Sequence, residues 1–165
     1  MTDSLAHRGP DGRGTWLGEG AGLGHRRLAI LDPEGGAQPW VHGGGAAVLV
    51  YNGELYNHEL LRAELEGKGV RFRSRCDTEV VLHALLAWGA EEALDRFRGM
   101  YAFALWESAP RRLTLARDPL GVKPLYWALR DGLLRFGSEV KAILADPAFP
   151  RSPDLAVLAN YLAHY

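Results

Sequence analysis

One stretch of the chain, residues 48–58 with the letters VLVYNGELYNH, constrains the fold more than any other. Its first residues are β-branched and aromatic, which is typical of a buried strand, and leucines at helical spacing follow the stretch. An Asn-Gly pair, Asn52 and Gly53, separates the two patterns. We therefore predict a strand that ends at a sharp turn, and a helix that begins after Asn57 as its N-cap.

The Asn-Gly pair allows two interpretations. It is a strong signal for the turn of a β-hairpin, although a hairpin needs a second strand and the pattern that follows is helical. It also suits a binding site, because Gly53 has no Cβ and can bring its N–H close to a ligand. The Asn52 side chain adds amide donors, so the pair could stabilise a developing oxyanion. Both interpretations stay open on these residues alone.

The composition indicates one globular domain over residues 1–165, with 47% hydrophobic and 24% charged residues. Lys and Arg number 19 against 20 Asp and Glu, a net charge of -1 without a long basic run, so we expect no nucleic-acid partner. No apolar stretch approaches bilayer length, and the first residues lack the features of a signal peptide. We expect no membrane partner and a cytoplasmic location.

Cysteine and histidine give no sign of a metal site. Cys76 is the single cysteine, which excludes an internal disulfide, and the six histidines are scattered without metal-ligand spacing. We therefore expect no bound metal.

Two adjacent arginines, Arg26 and Arg27, interrupt a predicted strand over residues 23–32. Neighbouring side chains of a strand point to opposite faces, so one arginine can be solvated while the other turns inward. An inward guanidinium suits bidentate binding of a carboxylate. Two surface arginines on an edge strand are the alternative.

Asp77 is predicted as the N-cap of a helix that ends at Gly89, with a further short helix over residues 90–97. Capping is the favoured role for this carboxylate, and a second role as partner of an ammonium group stays open. Residues 70–73 alternate like a short strand.

The remaining chain predicts antiparallel strands over residues 99–107, 113–117, 124–128 and 133–137, the later ones in meander order. A short helix follows over residues 138–145. A last helix begins after Ser152-Pro153-Asp154, with three leucines at core spacing: Leu155, Leu158 and Leu162.

Seven motifs, in this order, carry a family resemblance. They are HRGPDG (7–12), GHRRLAILD (24–32), YNGELYNH (51–58), CDTE (76–79), GMYAFALWE (99–107), RDPLGVKPLYW (117–127) and GSEVKAIL (137–144). The chain resembles the N-terminal glutaminase domain of glutamine-hydrolysing asparagine synthetase. The last two motifs favour this branch over related amidotransferases of purine or amino-sugar synthesis.

The resemblance implies a class II glutamine amidotransferase with the N-terminal nucleophile hydrolase fold. This is an α+β fold, a four-layer sandwich of two antiparallel sheets between helices. It also implies a role for six residues: Asn52 and Gly53 hold the oxyanion, Arg27 binds the α-carboxylate of glutamine, Asp77 binds its α-ammonium, and Ile30 and Glu54 line the same pocket.

The sequence departs from the family pattern at the nucleophile. The resemblance implies a cysteine at the mature N-terminus, whose own α-amino group, with a pKa near ~8, takes the thiol proton. No Met-Cys-Gly segment precedes His7 here, so we expect the first strand to be missing and the chain as given to be inactive. Cys76 does not replace it, because it lacks an α-amino group and the adjacent Asp77 carboxylate would raise its thiol pKa.

The partners implied by the resemblance are L-glutamine and a synthetase domain, in cis or in trans, that uses the ammonia to amidate aspartate in asparagine biosynthesis. ATP and Mg²⁺ are expected only for that domain, and no cofactor for this one. The alternative is a non-catalytic glutamine-binding or docking module, as in thiol-less relatives such as β-lactam or lasso-peptide synthetases. A missing strand would leave an open sheet edge, which suggests a homo-oligomer.

Overall fold

The computed structural model describes residues 1–29, 32 and 35–164. An N-terminal 3₁₀ helix (Thr2–Arg8) precedes the other elements. The strands are β1 (Gly12–Gly18), β2 (Ala21–Arg27), β3 (Trp40–His42), β4 (Ala47–Leu55), β5 (Gly99–Glu107), β6 (Arg112–Arg117), β7 (Tyr126–Arg130) and β8 (Leu133–Gly137). The helices are α1 (His58–Gly67), α2 (Asp77–Arg96), α3 (Val140–Leu144) and α4 (Leu155–His164). Within the described ranges, no helix is both long and apolar enough to cross a bilayer.

Four strands form a central antiparallel sheet in the order β3-β4-β5-β6, and two hairpins, β1-β2 and β7-β8, form a second layer. Helices α1 and α2 cover one face of the central sheet, and the hairpins cover the other. Helix α3 and the N-terminal 3₁₀ helix pack against the hairpins. The predicted α+β sandwich of antiparallel layers between helices is confirmed, whereas the missing first strand stays a prediction.

The position of β4 in the core explains why its sequence is a continuous apolar run. Tyr51 and Leu55 point to the helical layer, whereas Val48 and Val50 point to the hairpins, and all four side chains are buried. A strand that is buried on both faces loses the polar alternation of a half-exposed strand. This central position lets β4 carry a site at its end.

The predicted turn at Asn52 and Gly53 is wrong, and so is the hairpin alternative. Strand β4 runs on to Leu55, with Asn52 opposite Ala102 and Gly53 opposite Tyr101 on β5. Glycine is needed here for close packing instead, because a Cβ would collide with the β5 backbone. Helix α1 does begin directly after Asn57, as predicted.

Two local predictions around α2 are corrected. Cys76, and not Asp77, holds the N-cap position, and Asp77 is the first helical residue. The predicted break at Gly89 is present as a non-helical residue with φ 77° and ψ 168°. Residues 70–73 form no strand, because the N–H groups of Arg73 and Ser74 donate to the carboxylate of Glu79.

The other differences concern the hairpins and the last helix. The strand predicted over residues 23–32 ends at Arg27, and β1, which was not predicted, is its partner. The hairpin β7-β8 lies in the second layer and does not continue the sheet beyond β6. Helix α4 begins directly after Asp154, as predicted, and Asp154 Oδ1 accepts the Ala156 N–H at 2.9 Å. The predicted core leucines of α4 are 42–72% exposed: Leu155, Leu158 and Leu162.

Candidate functional site

A cavity of about 230 Å³ lies where β2, the end of β4 and the start of α2 meet. Five of the six predicted site residues line it: Arg27, Asn52, Gly53, Glu54 and Asp77. The sixth, Ile30, lies outside the described residues. Residues far apart in the chain are thus brought to one small pocket by the pairing of strands and the docking of α2.

Arg27 contributes a guanidinium at the end of β2. Its Nη2 donates to the backbone carbonyl of Asp32 at 2.6 Å, which fixes the side chain beside the cavity. The preceding Arg26 takes a different direction and donates to Asp3 of the N-terminal 3₁₀ helix at 2.7 Å. The two arginines therefore diverge as neighbours on a strand should, but Arg26 is ion-paired and only 18% exposed, not solvated.

Asp77 contributes a carboxylate that is 4% exposed. Its Oδ2 accepts hydrogen bonds from the Tyr51 hydroxyl at 3.0 Å and from the Leu55 N–H at 2.9 Å. Burial and the nearby carboxylate raise the pKa of Tyr51, so the phenol stays a donor. The carboxylate is held by β4 rather than used to cap its own helix, and a charge so placed suits a cationic ligand group.

Asn52 and Gly53, the two predicted oxyanion donors and called the donor pair below, lie on the last part of β4. The N–H groups of Tyr51 and Leu55 bond away from β5, to side chains at the other edge of the strand. Because N–H direction alternates along an antiparallel strand, the Gly53 N–H points to that same edge. Gly53 lines the cavity there, as does Asn52, so both groups of the donor pair border one space.

The only thiol of the chain, Cys76, also lines the cavity but is poorly suited to attack. It is 4% exposed, and burial raises its thiol pKa. Its Sγ lies 3.3 Å from Thr78 Oγ1 and 3.6 Å from Asp77 Oδ1. A thiolate here would form next to a carboxylate and without a cationic neighbour among these contacts.

His25 and Gln38 are among the several lining residues that were missed at the sequence level. His25 lies two positions before Arg27 on β2, so strand alternation would have placed it on the same side. Gln38 is the only glutamine of the chain and follows a glycine-rich segment, and no spacing rule marks it. Both hydrogen-bond the backbone of Tyr51.

The described residues hold no group of three or more His, Cys, Asp or Glu side chains that could bind a metal ion.

Comparison with known proteins identifies the family. Residues 1–165 match a protein-family model that is described as a glutamine amidotransferase domain. The chain belongs to the glutamine amidotransferase domain family. The predicted resemblance is thereby confirmed at the level of the domain.

Two curated relatives refine this assignment. The domain is 46% identical over 149 residues to asparagine synthetase [glutamine-hydrolyzing] 3 of Bacillus subtilis (strain 168), a match that covers 89% of this chain and 24% of the relative. It is 43% identical over 141 residues to asparagine synthetase B [glutamine-hydrolyzing] of Escherichia coli (strain K12). This match covers 85% of this chain and 25% of the relative. The chain thus spans about a quarter of the length of the curated relatives it matches.

Solved structures agree on the fold. Glutamine phosphoribosylpyrophosphate amidotransferase from B. subtilis, complexed with ADP and GMP, superimposes with a TM-score of 0.61 at 28% identity. The match covers 74% of this chain and 28% of that one. It confirms the N-terminal nucleophile hydrolase-like fold for the domain.

Proposed function

We propose that this domain binds L-glutamine and, once a cysteine nucleophile is in place, hydrolyses its carboxamide to glutamate and ammonia. One observation carries the proposal: Arg27, Asp77 and the donor pair border a single cavity of about 230 Å³, which Arg8, Arg26, Lys123 and Glu54 also line. Pockets for drug-sized ligands span roughly 300–1,000 Å³, so this one suits a small metabolite.

The two charged groups would hold the amino-acid end of the substrate. Arg27 would bind the α-carboxylate through its guanidinium, and Asp77 would accept from the α-ammonium. Both are already fixed by bonds to the protein, Arg27 to the Asp32 carbonyl and Asp77 to the Leu55 N–H. Fixed partners lose little entropy on binding, which favours a site specific for α-amino acids.

The donor pair would act on the other end. Attack of a thiolate on the carboxamide carbon places negative charge on its oxygen, and Asn52 Nδ2 and the Gly53 N–H would donate to that oxyanion. Collapse of the intermediate, with the former thiol proton passed from the α-amino group of the cysteine to the amide nitrogen, expels ammonia and leaves a thioester. Water then cleaves the thioester to glutamate and returns the thiol. Loss of one such donor typically costs on the order of 100- to 1,000-fold in kcat.

The nucleophile would not be Cys76, the one thiol among residues 1–165, because that thiol is buried and its pKa is raised. A second cavity, of about 610 Å³, lies between β2 and β8 above the central sheet. Among the described strands β2 pairs only with β1 and β8 only with β7. Each therefore has an edge that an additional strand could join, and His25 and Asn52 line both cavities. We propose that residues 1–165 alone bind glutamine without hydrolysing it.

The ammonia would be used by a synthetase domain, in cis or in trans, for ATP-dependent amidation of aspartate. The names of the curated relatives support this step. ATP and Mg²⁺ would serve that domain alone.

A docking role is the second candidate function, and α4 favours it. Leu155 and Leu162 on this helix are 72% and 69% exposed, more than a solvent-facing helix needs. In that case the cavity would be a remnant, and the domain would serve a partner through α4 without releasing ammonia.

Calorimetry with L-glutamine on this chain, and on a version preceded by a strand segment that starts with cysteine, tests both functions. We expect binding by both proteins and ammonia release only by the second. A Cys-to-Ser change at the new terminus should abolish release. Binding by neither protein would refute the glutaminase proposal and favour docking.

A further inference from the structure

The side chain of Gln38 replaces a strand at the edge of the central sheet. Strand β3 pairs with β4 only opposite residues 47–49. Tyr51 lies two residues further on, where β4 again turns its N–H and carbonyl to this edge. The Gln38 amide meets both: the Tyr51 N–H donates to Oε1 at 2.7 Å, and Nε2 donates to the Tyr51 carbonyl at 3.0 Å. These bonds reproduce the exchange between residues of two antiparallel strands.

His25 supplies a second donor to the same carbonyl. Its Nε2 lies 3.1 Å from the Tyr51 oxygen, and because a carbonyl only accepts, Nε2 carries the proton. Burial lowers the pKa of His25 to about 4, so the ring is neutral near pH 7. Its Nδ1 is buried and has no hydrogen-bond partner within the described ranges. The Tyr51 carbonyl thus has a donor for each of its lone pairs.

This carbonyl belongs to the peptide group that leads into the donor pair. A peptide group is planar, so two donors on its oxygen also fix its nitrogen end, the backbone N–H of Asn52. Beyond the donor pair, the Leu55 N–H is bonded to Asp77. The donor pair therefore lies between two anchored points of one strand.

We propose that Gln38 and His25 are positioning residues for the donor pair, which act through Tyr51. The proposal rests on the proposed function, because it concerns how the same pocket binds the carboxamide of glutamine. It assigns a role to two side chains that carry no charge near pH 7 and therefore escape any search for ionic partners of the substrate.

Two ligands separate this role from general damage to the pocket. L-Norvaline has the α-groups of glutamine but no carboxamide, so its affinity reports on the charged end alone. By calorimetry we expect Gln38→Met to lower the affinity for glutamine about tenfold and to leave that for norvaline unchanged. His25→Leu should have the same effect. His25→Gln keeps a hydrogen-bond donor and should therefore bind glutamine in preference to norvaline as the unmodified domain does.

His42→Gln is the control, because His42 lies at the exposed end of β3 and does not line the cavity. It should change neither affinity. The positioning role would be overturned if Gln38→Met lowered the affinities for glutamine and norvaline by the same factor, or if it changed neither affinity. If His25→Leu does not fold, the Gln38 variant decides alone.

Hydrogen exchange gives a readout without ligand. We expect the Tyr51 amide, which donates to Gln38 Oε1, to exchange about tenfold faster in Gln38→Met, with the Val48 amide as an unaffected reference on β4. Unchanged exchange at Tyr51 would overturn the positioning role even if neither ligand bound. Failure of the unmodified domain to bind either ligand would instead count against the proposed function.

Discussion

The carboxylate of Asp77 accepts the backbone N–H of Leu55 at 2.9 Å, which ties the first turn of α2 to the end of β4. The same oxygen accepts the Tyr51 hydroxyl at 3.0 Å. One buried carboxylate therefore fixes the helix start relative to the strand that carries the donor pair. Its position is therefore set by the protein alone.

Asp77→Asn separates these two duties. The amide oxygen of asparagine can still accept from Leu55 and Tyr51, so we expect the domain to keep its fold. The negative charge opposite the α-ammonium is lost, and hydrogen bonds to charged groups contribute about 1.5–3 kcal/mol. Glutamine affinity measured by calorimetry should fall roughly 10- to 100-fold.

Asp131→Asn is the matched control, because Asp131 lies exposed in the turn between β7 and β8 and does not line the cavity. It should leave glutamine affinity unchanged. Equal affinity of the Asp77 variant and the unmodified domain would contradict the role of Asp77 in binding.

Gly53 and Gly67 give a second matched pair. At Gly53 a Cβ would meet the Met100 carbonyl and the Tyr101 backbone, whereas at Gly67, the last residue of α1, nothing lies within 4 Å. We expect Gly53→Ala to destabilise the domain by about 1–3 kcal/mol through overpacking. Gly67→Ala should be neutral or stabilise by up to about 1 kcal/mol.

Urea unfolding of both glycine variants checks these values. Because β5 cannot retreat without losing its pairing, Gly53→Ala should also displace the donor pair and weaken glutamine binding. Equal stability of the two variants would mean that β5 yields easily to a side chain at this position.

The region around Gly53 shows which structural features local sequence patterns can predict. The strand over residues 48–51 and the helix after Asn57 were predictable, because burial and helical spacing are local patterns. The Asn-Gly pair was misread as a turn, because the local signal for a turn is the same as the signal for close packing between strands. Only the neighbouring strand β5 decides between them.

The same limit applies to side chains whose partners are distant in sequence. Asp77 has the residue type and place of an N-cap, yet its bonds go to β4, 22 and 26 residues away. Leu155 and Leu162 have core spacing, yet they are exposed, because amphipathic spacing reveals an apolar face but not what covers it. The family resemblance located the pocket because it carries such long-range information.

Glu139 predicts a pH dependence of stability. Lys141, His7 and Arg8 hydrogen-bond its carboxylate and lower its pKa from 4.5 to about 2. Since the folded pKa lies below the unfolded one, the stabilisation is fully present above about pH 5. It is lost progressively as the pH falls from 4.5 toward 2. Two of the partners belong to the N-terminal 3₁₀ helix, so this carboxylate anchors that helix to the fold.

Urea unfolding of the unmodified domain and of Glu139→Gln at pH 6, 5, 4 and 3 tests this dependence. The difference in free energy of unfolding between the two proteins should be the same at pH 6 and 5 and shrink at pH 4 and 3. A difference that stays constant down to pH 3 would show that the pKa of Glu139 is not lowered in the folded state.

Two leucines test where the core ends. Leu65 on α1 has no exposed surface, whereas Leu162 on α4 is 69% exposed although both have helical core spacing. Leu65→Ala removes buried methyl groups and leaves a cavity, so we expect a loss of about 2–5 kcal/mol in the free energy of unfolding. Leu162→Ala removes surface that is already in water and should change that free energy by less than about 0.5 kcal/mol. Urea unfolding at low protein concentration measures both changes in the free energy of unfolding. A loss above about 1 kcal/mol for Leu162→Ala would mean that α4 is covered in solution, either by the domain itself or by a second copy.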